Sequence, residues 1–314
     1  MNRSTIIAVV GLALSAMLPA ASAYALNTRS FVSGRGSDAN SCTLASPCRT
    51  FAFAFSQTIA GGEIDVLDSA GYGALTINKA ISIVNDGAGT AAVLVPSSGI
   101  GITITAGASD EISLRGLTID GAGTGAVGVV FTAGKSLTIA NCVIRNAAGD
   151  GINFLPTGTS NLAVSNTLVA DNAQGGISVQ PSGSGTVTAV FNRVEVSNNG
   201  THGIRVDGQS STAAIKATVA DSIAARNGTG GFFANTAAGQ ASTTLMVFHS
   251  VAANNGTGLF ASGPGATLRV GHSMVTGNAN GWLAQSSGVV TSYGDNYIDG
   301  NDANEAAPTS TARK

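Results

Sequence analysis

Side chains of the types that do acid–base chemistry are few in this chain and lie far apart. Asp150, His202 and Arg205 are the catalytic candidates. A carboxyl group and an imidazole across a bond can share proton transfer, and a guanidinium can hold a carboxylate. Glycoside hydrolysis needs two carboxyl groups flanking the scissile bond, yet no dense group of acids occurs in neighbouring segments. His249 and His272 sit in similar local sequence, Val-Phe-His and Val-Gly-His. A metal pair would need such imidazoles to converge with further ligands. No third ligand is visible, and no metal site is assigned. Gly123-Thr-Gly125-Ala-Val-Gly128 matches the dinucleotide pattern Gly-x-Gly-x-x-Gly, but no crossover helix follows it, so it reads as a turn.

These residues need a scaffold, and composition restricts which one. Of 314 residues, 10% are charged, 44% are hydrophobic and 42 are glycine. Low charge with much glycine can mean disorder, but the hydrophobic share argues against it. Small residues with regular apolar ones suit a tightly wound β-structure. Arg3, the apolar run Ile6 to Leu18 and the small residues Ala21-Ser22-Ala23-Tyr24-Ala25 read as a signal peptide over residues 1–25. The reading is export: secreted, periplasmic or cell surface, with no membrane span once the signal is cleaved. Without Arg3 the chain has fourteen bases against seventeen acids, a net charge of −3, and no basic run. Nucleic acid is therefore excluded as the expected partner. In an exported chain, Cys42 and Cys48, six apart in a loop-like stretch, read as a disulfide. Cys142 is left over.

A repeat supplies the frame. Leu137-Thr-Ile-Ala-Asn141 returns as Leu162-Ala-Val-Ser-Asn166, Thr188-Ala-Val-Phe-Asn192, Ala217-Thr-Val-Ala-Asp221, Leu245-Met-Val-Phe-His249, Leu268-Arg-Val-Gly-His272 and Thr291-Ser-Tyr-Gly-Asp295. With Gly116 these anchors are spaced by 25, 25, 26, 29, 28, 23 and 23 residues. Two residues after each stands Thr118, Val143, Leu168, Val194, Ile223, Val251, Met274 or Tyr297. Further on comes glycine plus an apolar residue, from Gly128-Val129 to Gly281-Trp282. A second turn signature is Asn199-Gly-Thr, Asn227-Gly-Thr and Asn255-Gly-Thr. Three short alternating segments per unit give a coil of three strands, each pairing with its copy one unit on. The frame predicts that the polar anchors stack inside the coil, since Asn and Asp tolerate the left-handed backbone of a tight corner. Cys142, one residue past an anchor, falls in a polar column predicted to face outward.

At this point the chain resembles the secreted right-handed β-helix repeat proteins of the pectate-lyase-like superfamily. Phe31-Val-Ser-Gly-Arg-Gly-Ser-Asp38-Ala-Asn40, Ser46-Pro47-Cys48-Arg49-Thr50-Phe51 and Gly71-Tyr72-Gly73 resemble the entry segment of that fold. The fold class this implies is all-β: a right-handed single-stranded parallel β-helix with a short N-terminal capping helix. The expected division is residues 26–62 as the cap, with its helix over 50–59, residues 63–301 as the β-helix, and 302–314 as a flexible tail. Activity does not follow from this fold. Thr201-His202-Gly203 echoes part of a polygalacturonase-like motif, but the aspartate pair and Arg-x-Lys are missing. Pectate-lyase-like chemistry would require Ca²⁺-binding aspartates.

The frame leaves one surface of interest. The residues Val130, Asn153, Ser178, Arg205, Phe233, Phe260 and Leu283 follow the glycine column and should form an outward stripe. Phe233 and Phe260 would offer an aromatic platform, with Asn153 and Arg205 alongside. The reading that results is an exported protein that binds a glycan (a polysaccharide or cell-surface glycan) or another surface partner through this stripe, with no cofactor. The alternatives are a lyase or hydrolase of an acidic polysaccharide, the only case in which Ca²⁺ enters, and a purely structural surface protein.

Overall fold

The computed structural model describes residues 26–312. The signal peptide read over residues 1–25 lies outside them. The described chain winds into a right-handed parallel β-helix with three strand faces per coil. Strands that include Val127–Ala133, His202–Asp207, Gly230–Asn235, Thr257–Ser262 and Asn280–Gln285 form a nine-stranded first face. Strands such as Ser136–Ala140, Thr243–Phe248 and Ala266–Gly271 form the second, and Val143–Arg145, Ile223–Ala225 and Met274–Thr276 the third. All these strands pair in parallel with their copies in the next coil. Among the described residues no helix is long and apolar enough to cross a membrane.

Two corners per coil set the register. The corner between the second and third faces carries Asn141, Asn166, Arg193, Asp221, His249 and His272, all with φ between 46° and 55°. Two corrections to the sequence frame follow. Arg193, not Asn192, is the corner residue, because Ser165 pairs with Asn192 and Thr167 with Val194. The inward residues of that coil are then Phe191 and Val194, and Val190 points out. The anchor column also lies outside the coil, not inside. A left-handed residue turns the chain sharply and reverses the alternation, so the residue after it points inward. That residue is Cys142, Thr167, Val194, Ser222, Ser250 or Ser273, all buried. Cys142 therefore faces the interior, not solvent. Val143, Ile223, Met274 and Tyr297, one position further, face outward, and Tyr297 is 75% exposed.

The internal polar ladder belongs to the other corner. Asn172, Asn199, Asn227, Asn255 and Asn278 each donate an Nδ2 hydrogen bond to the Oδ1 of the next asparagine, ending at Asn301, at 2.9–3.0 Å. Each Oδ1 also accepts from the backbone N–H of the asparagine before it, and Asn199, Asn227, Asn255 and Asn278 donate again to a carbonyl. Full pairing is what permits amides in an otherwise apolar interior. The glycine column lies beside this ladder because coils approach closely there: a Cβ at Gly231 would sit 2.8 Å from Gly258 O and 3.0 Å from Asn255 Nδ2.

Both ends are closed. The helix Phe51–Gln57 is shorter than the predicted span, because Thr58 already begins the strand Thr58–Val66. Thr50 caps the helix by accepting from Phe53 N, and Lys79 Nζ donates to the carbonyls of Phe55 and Thr58. Phe51, Ala54 and Phe55 bury against the first coil. Asn27–Val32 pairs with Thr58–Val66, and Cys42 and Cys48 are disulfide-bonded beside it. Asp38 and Tyr72, part of the entry motif, are used structurally: Asp38 accepts from Arg49 N, Thr50 N and Thr50 Oγ1, and Tyr72 donates to Asp68. At the other end, Thr309–Ser310 pairs with Thr291–Ser292, and Trp282 Nε1 donates to Ala306 O at 2.7 Å.

Candidate functional site

The stripe on the first face is in register. Val130 pairs with Asn153, Asn153 with Ser178, Ser178 with Arg205, Arg205 with Phe233, Phe233 with Phe260, and Phe260 with Leu283. Strand alternation turns this column away from the core, where Ile152, Ile204, Phe232 and Leu259, one residue earlier, are fully buried. Yet Val130, Ser178 and Phe233 are themselves covered, and only Asn153, Arg205, Phe260 and Leu283 are partly exposed. The platform differs from expectation. The rings of Phe233 and Phe260 stack with centroids 4.3 Å apart and an 11° tilt. Rings stacked at about the strand spacing turn their faces along the helix axis and their edges to solvent. His202 covers the other side of Phe233 at 4.8 Å, leaving Phe233 only 7% exposed. Phe233 is thus a link in a side-chain stack, not a free face.

The polar residues of this face are committed to neighbours. Asp150 Oδ1 accepts from Gly175 N at 2.6 Å. Arg205 pairs with Asp207, whose Oδ1 accepts from Asn235 Nδ2. The Arg205 guanidinium also lies 5.7 Å from the Phe233 centroid. His202 rests over the space left by Gly230, and burial, helped by the Arg205 charge, lowers its pKa to about 4. Nδ1 of His202 and Nε of Arg205 are buried without a hydrogen-bond partner among the described residues. Asp150 and His202 stand two coils apart with Gly175 between, a gap of about 10 Å by the strand spacing. The structure does not bring them together as a pair.

The frame missed a second group, on the second face. Phe248, Gly271 and Tyr293 occupy one outward column near the C-terminal end. They line a cavity of about 460 Å³ with Met246, Arg269, His272 and Asp295. The imidazoles at the adjoining corner do not form a histidine ladder. His249 Nδ1 pairs with Asp221 at 2.6 Å, and His272 Nε2 with Asp295 at 3.1 Å. His272 stands edge-on to Phe248 at 5.2 Å. No group of three metal-ligating side chains occurs among the described residues. The signal for this site was an aromatic–glycine–aromatic succession at one repeat position. It was hidden because one extra residue between Ser292 and Tyr297 shifts Tyr293 out of frame.

Comparisons with known proteins bear on the fold. Residues 63–219 match the family model described as right handed beta helix region. Pectate lyase Pel9A superposes with a TM-score of 0.66 at 16% identity, over 92% of this chain and 79% of that one. The periplasmic alginate epimerase AlgG gives 0.47 at 12% identity, over 76% of each chain. The A-module of the Azotobacter vinelandii mannuronan C-5 epimerase AlgE4 gives 0.40 at 14%, over 81% and 91%. Comparison with curated protein sequences finds no match.

Proposed function

The chain belongs to the right-handed β-helix family, and from that premise we propose that it binds a polysaccharide along the outward column of its first face. The observation that carries this reading is the register, which stands Asn153, Ser178, Arg205, Phe233 and Phe260 on consecutive coils. An extended polymer suits a column of coils, because the column's residues stand at a fixed interval of about 4.8 Å along one line. Asn153 and Arg205 supply hydrogen bonds, and the edge of Phe260 supplies apolar contact. Binding is favoured over turnover because the acid–base candidates are not assembled as a pair: Asp150 accepts from Gly175 N, and His202 stands two coils away, about 10 Å by the strand spacing. The Cys42–Cys48 bridge supports an exported protein, since such bonds persist in oxidising compartments.

The test is binding to immobilised pectin, alginate and neutral glucans, comparing the wild type with an Asn153→Ala, Arg205→Ala double variant. The expected result is binding to at least one polymer and its loss in the variant. Unchanged binding in a folded variant overturns the site. The rival reading, an eliminating enzyme like the pectate lyase that shares the fold, is scored in the same samples. Absorbance of unsaturated product with Ca²⁺ added would replace binding by catalysis.

A further inference from the structure

We propose that the cleft between Phe248 and Tyr293 is a binding site for a single neutral sugar ring, separate from the first-face column and independent of it. Two strands and the residue just past a third place its parts. Phe248, Gly271 and Tyr293 follow one another on successive coils, so the two aromatic side chains are rooted about 9.6 Å apart, twice the strand spacing, with bare backbone between them. Both rings lean toward the gap: a Cβ on Gly271 would lie 3.1 Å from Tyr293 Cδ2 and 3.5 Å from Phe248 Cδ2. The cavity of about 460 Å³ falls within the usual range for small-molecule sites. A second cavity of about 550 Å³, lined by His249, His272, Asp295 and Tyr297, meets it at the corner.

The lining chooses the ligand. Aromatic rings with electron-rich faces suit the C–H groups of a sugar ring. Arg269 offers only donors, the Asp295 carboxylate only acceptors, and an imidazole one of each when neutral. Hydroxyl groups donate and accept, so a polyhydroxylated ring can satisfy all three. The charges decide between sugars: the Arg269 cation and the Asp295 anion line the same cleft. A uronate would gain from Arg269 and be repelled by Asp295, whereas a neutral ring pays neither desolvation nor repulsion of a net charge. Asp295 is held in place by His272, which donates to it from its backbone N–H at 2.9 Å and pairs through Nε2. Met246, Phe248, Arg269 and Gly271 stand on strands, while His272, Tyr293 and Asp295 lie in the corner segments that follow them.

The test titrates the folded protein with glucose, galactose, mannose and their neutral disaccharides, and with galacturonate, followed by NMR shifts and calorimetry. Gly271 lies on a strand with ordinary backbone angles, so Gly271→Val should fill the cleft and keep the fold, which circular dichroism checks. The expected result is saturable binding of a neutral sugar, weakened about tenfold by Phe248→Ala, the loss of one aromatic contact of ordinary size, and abolished by Gly271→Val. Arg205→Ala should leave it unchanged. Absence of neutral-sugar binding, its survival in Gly271→Val, or tighter binding of galacturonate each overturns the proposal. Loss of polymer binding in the Asn153, Arg205 variant with small-sugar binding intact would separate the two sites.

Discussion

His202 shows what the coil does to a single side chain. Burial beside Phe233 and the nearby Arg205 charge lower its pKa from 6.5 to about 4. Between those values the unfolded chain binds more protons than the folded one, so stability is greatest above pH 6.5 and falls as pH drops toward 4. The slope for one group is at most about 1.4 kcal/mol per pH unit. Urea melts at pH 7 and pH 4.5 should show wild type losing more stability than His202→Phe. Equal losses would remove His202 from the pH response. Cys142 is the opposite case. Its thiol is pushed up to about 11 by burial, and its Sγ donates to Ala140 O, as Ser222 does to Ala220 and Ser250 to Phe248. Iodoacetamide should label it only in denaturant, and Cys142→Ser should change stability by less than about 1 kcal/mol. Sequence located the stripe residues Asn153, Arg205, Phe233 and Phe260, because alternation alone decides their face. It missed that Phe233 and Phe260 stack on each other, since ring orientation depends on neighbours one coil away.

At the scale of the element, the corner rather than the strand carries the information. The strand alternation and the glycine column were legible, and so was the Asn-Gly-Thr signature. Which corner is buried was not. Both corners hold Asn or Asp in places, Asn141 and Asn166 at one and Asn227 and Asn255 at the other, and residue type does not distinguish them. The left-handed turn at Asn141 inverts the alternation, a reversal that a fixed two-residue rule cannot follow. The one-residue slip at Asn192 has a like cause, since a longer coil moved the corner to Arg193. The buried ladder should be the costlier one to break. Asn227→Ala removes the acceptor for Asn199 N and Nδ2 and the donor to Val196 O and Asn255. Its expected cost is about 3 kcal/mol or more, the penalty for several unpaired buried groups. The exposed corner change Asn166→Ala should cost far less, and denaturant midpoints for the two variants would show the order.

Over the whole molecule, stability is additive along one axis, because each coil touches only its neighbours. That makes the ends the vulnerable places. Deleting residues 26–57 would uncover the edge of Thr58–Val66, which now pairs with Asn27–Val32. The truncated chain should self-associate, seen as concentration-dependent mass in light scattering, as open strand edges do; a monodisperse monomer would show that the cap is dispensable. The asparagine ladder also runs in one sense throughout. From Asn172 to Asn278 one Nδ2–H of each amide points to the next asparagine toward the C-terminus and each Oδ1 back toward the N-terminal coils, while the second N–H of Asn199, Asn227, Asn255 and Asn278 turns back to a carbonyl of the preceding coil. Amides aligned head to tail add their dipoles, as peptide units of about 3.5 D do along an α-helix. The row ends where Asn301 N donates to the carboxylate of Glu305, so a negative group meets the positive end. The ladder therefore carries a dipole of its own along the solenoid axis, and a carboxylate sits at its positive end as an acid does at the N-terminus of an α-helix.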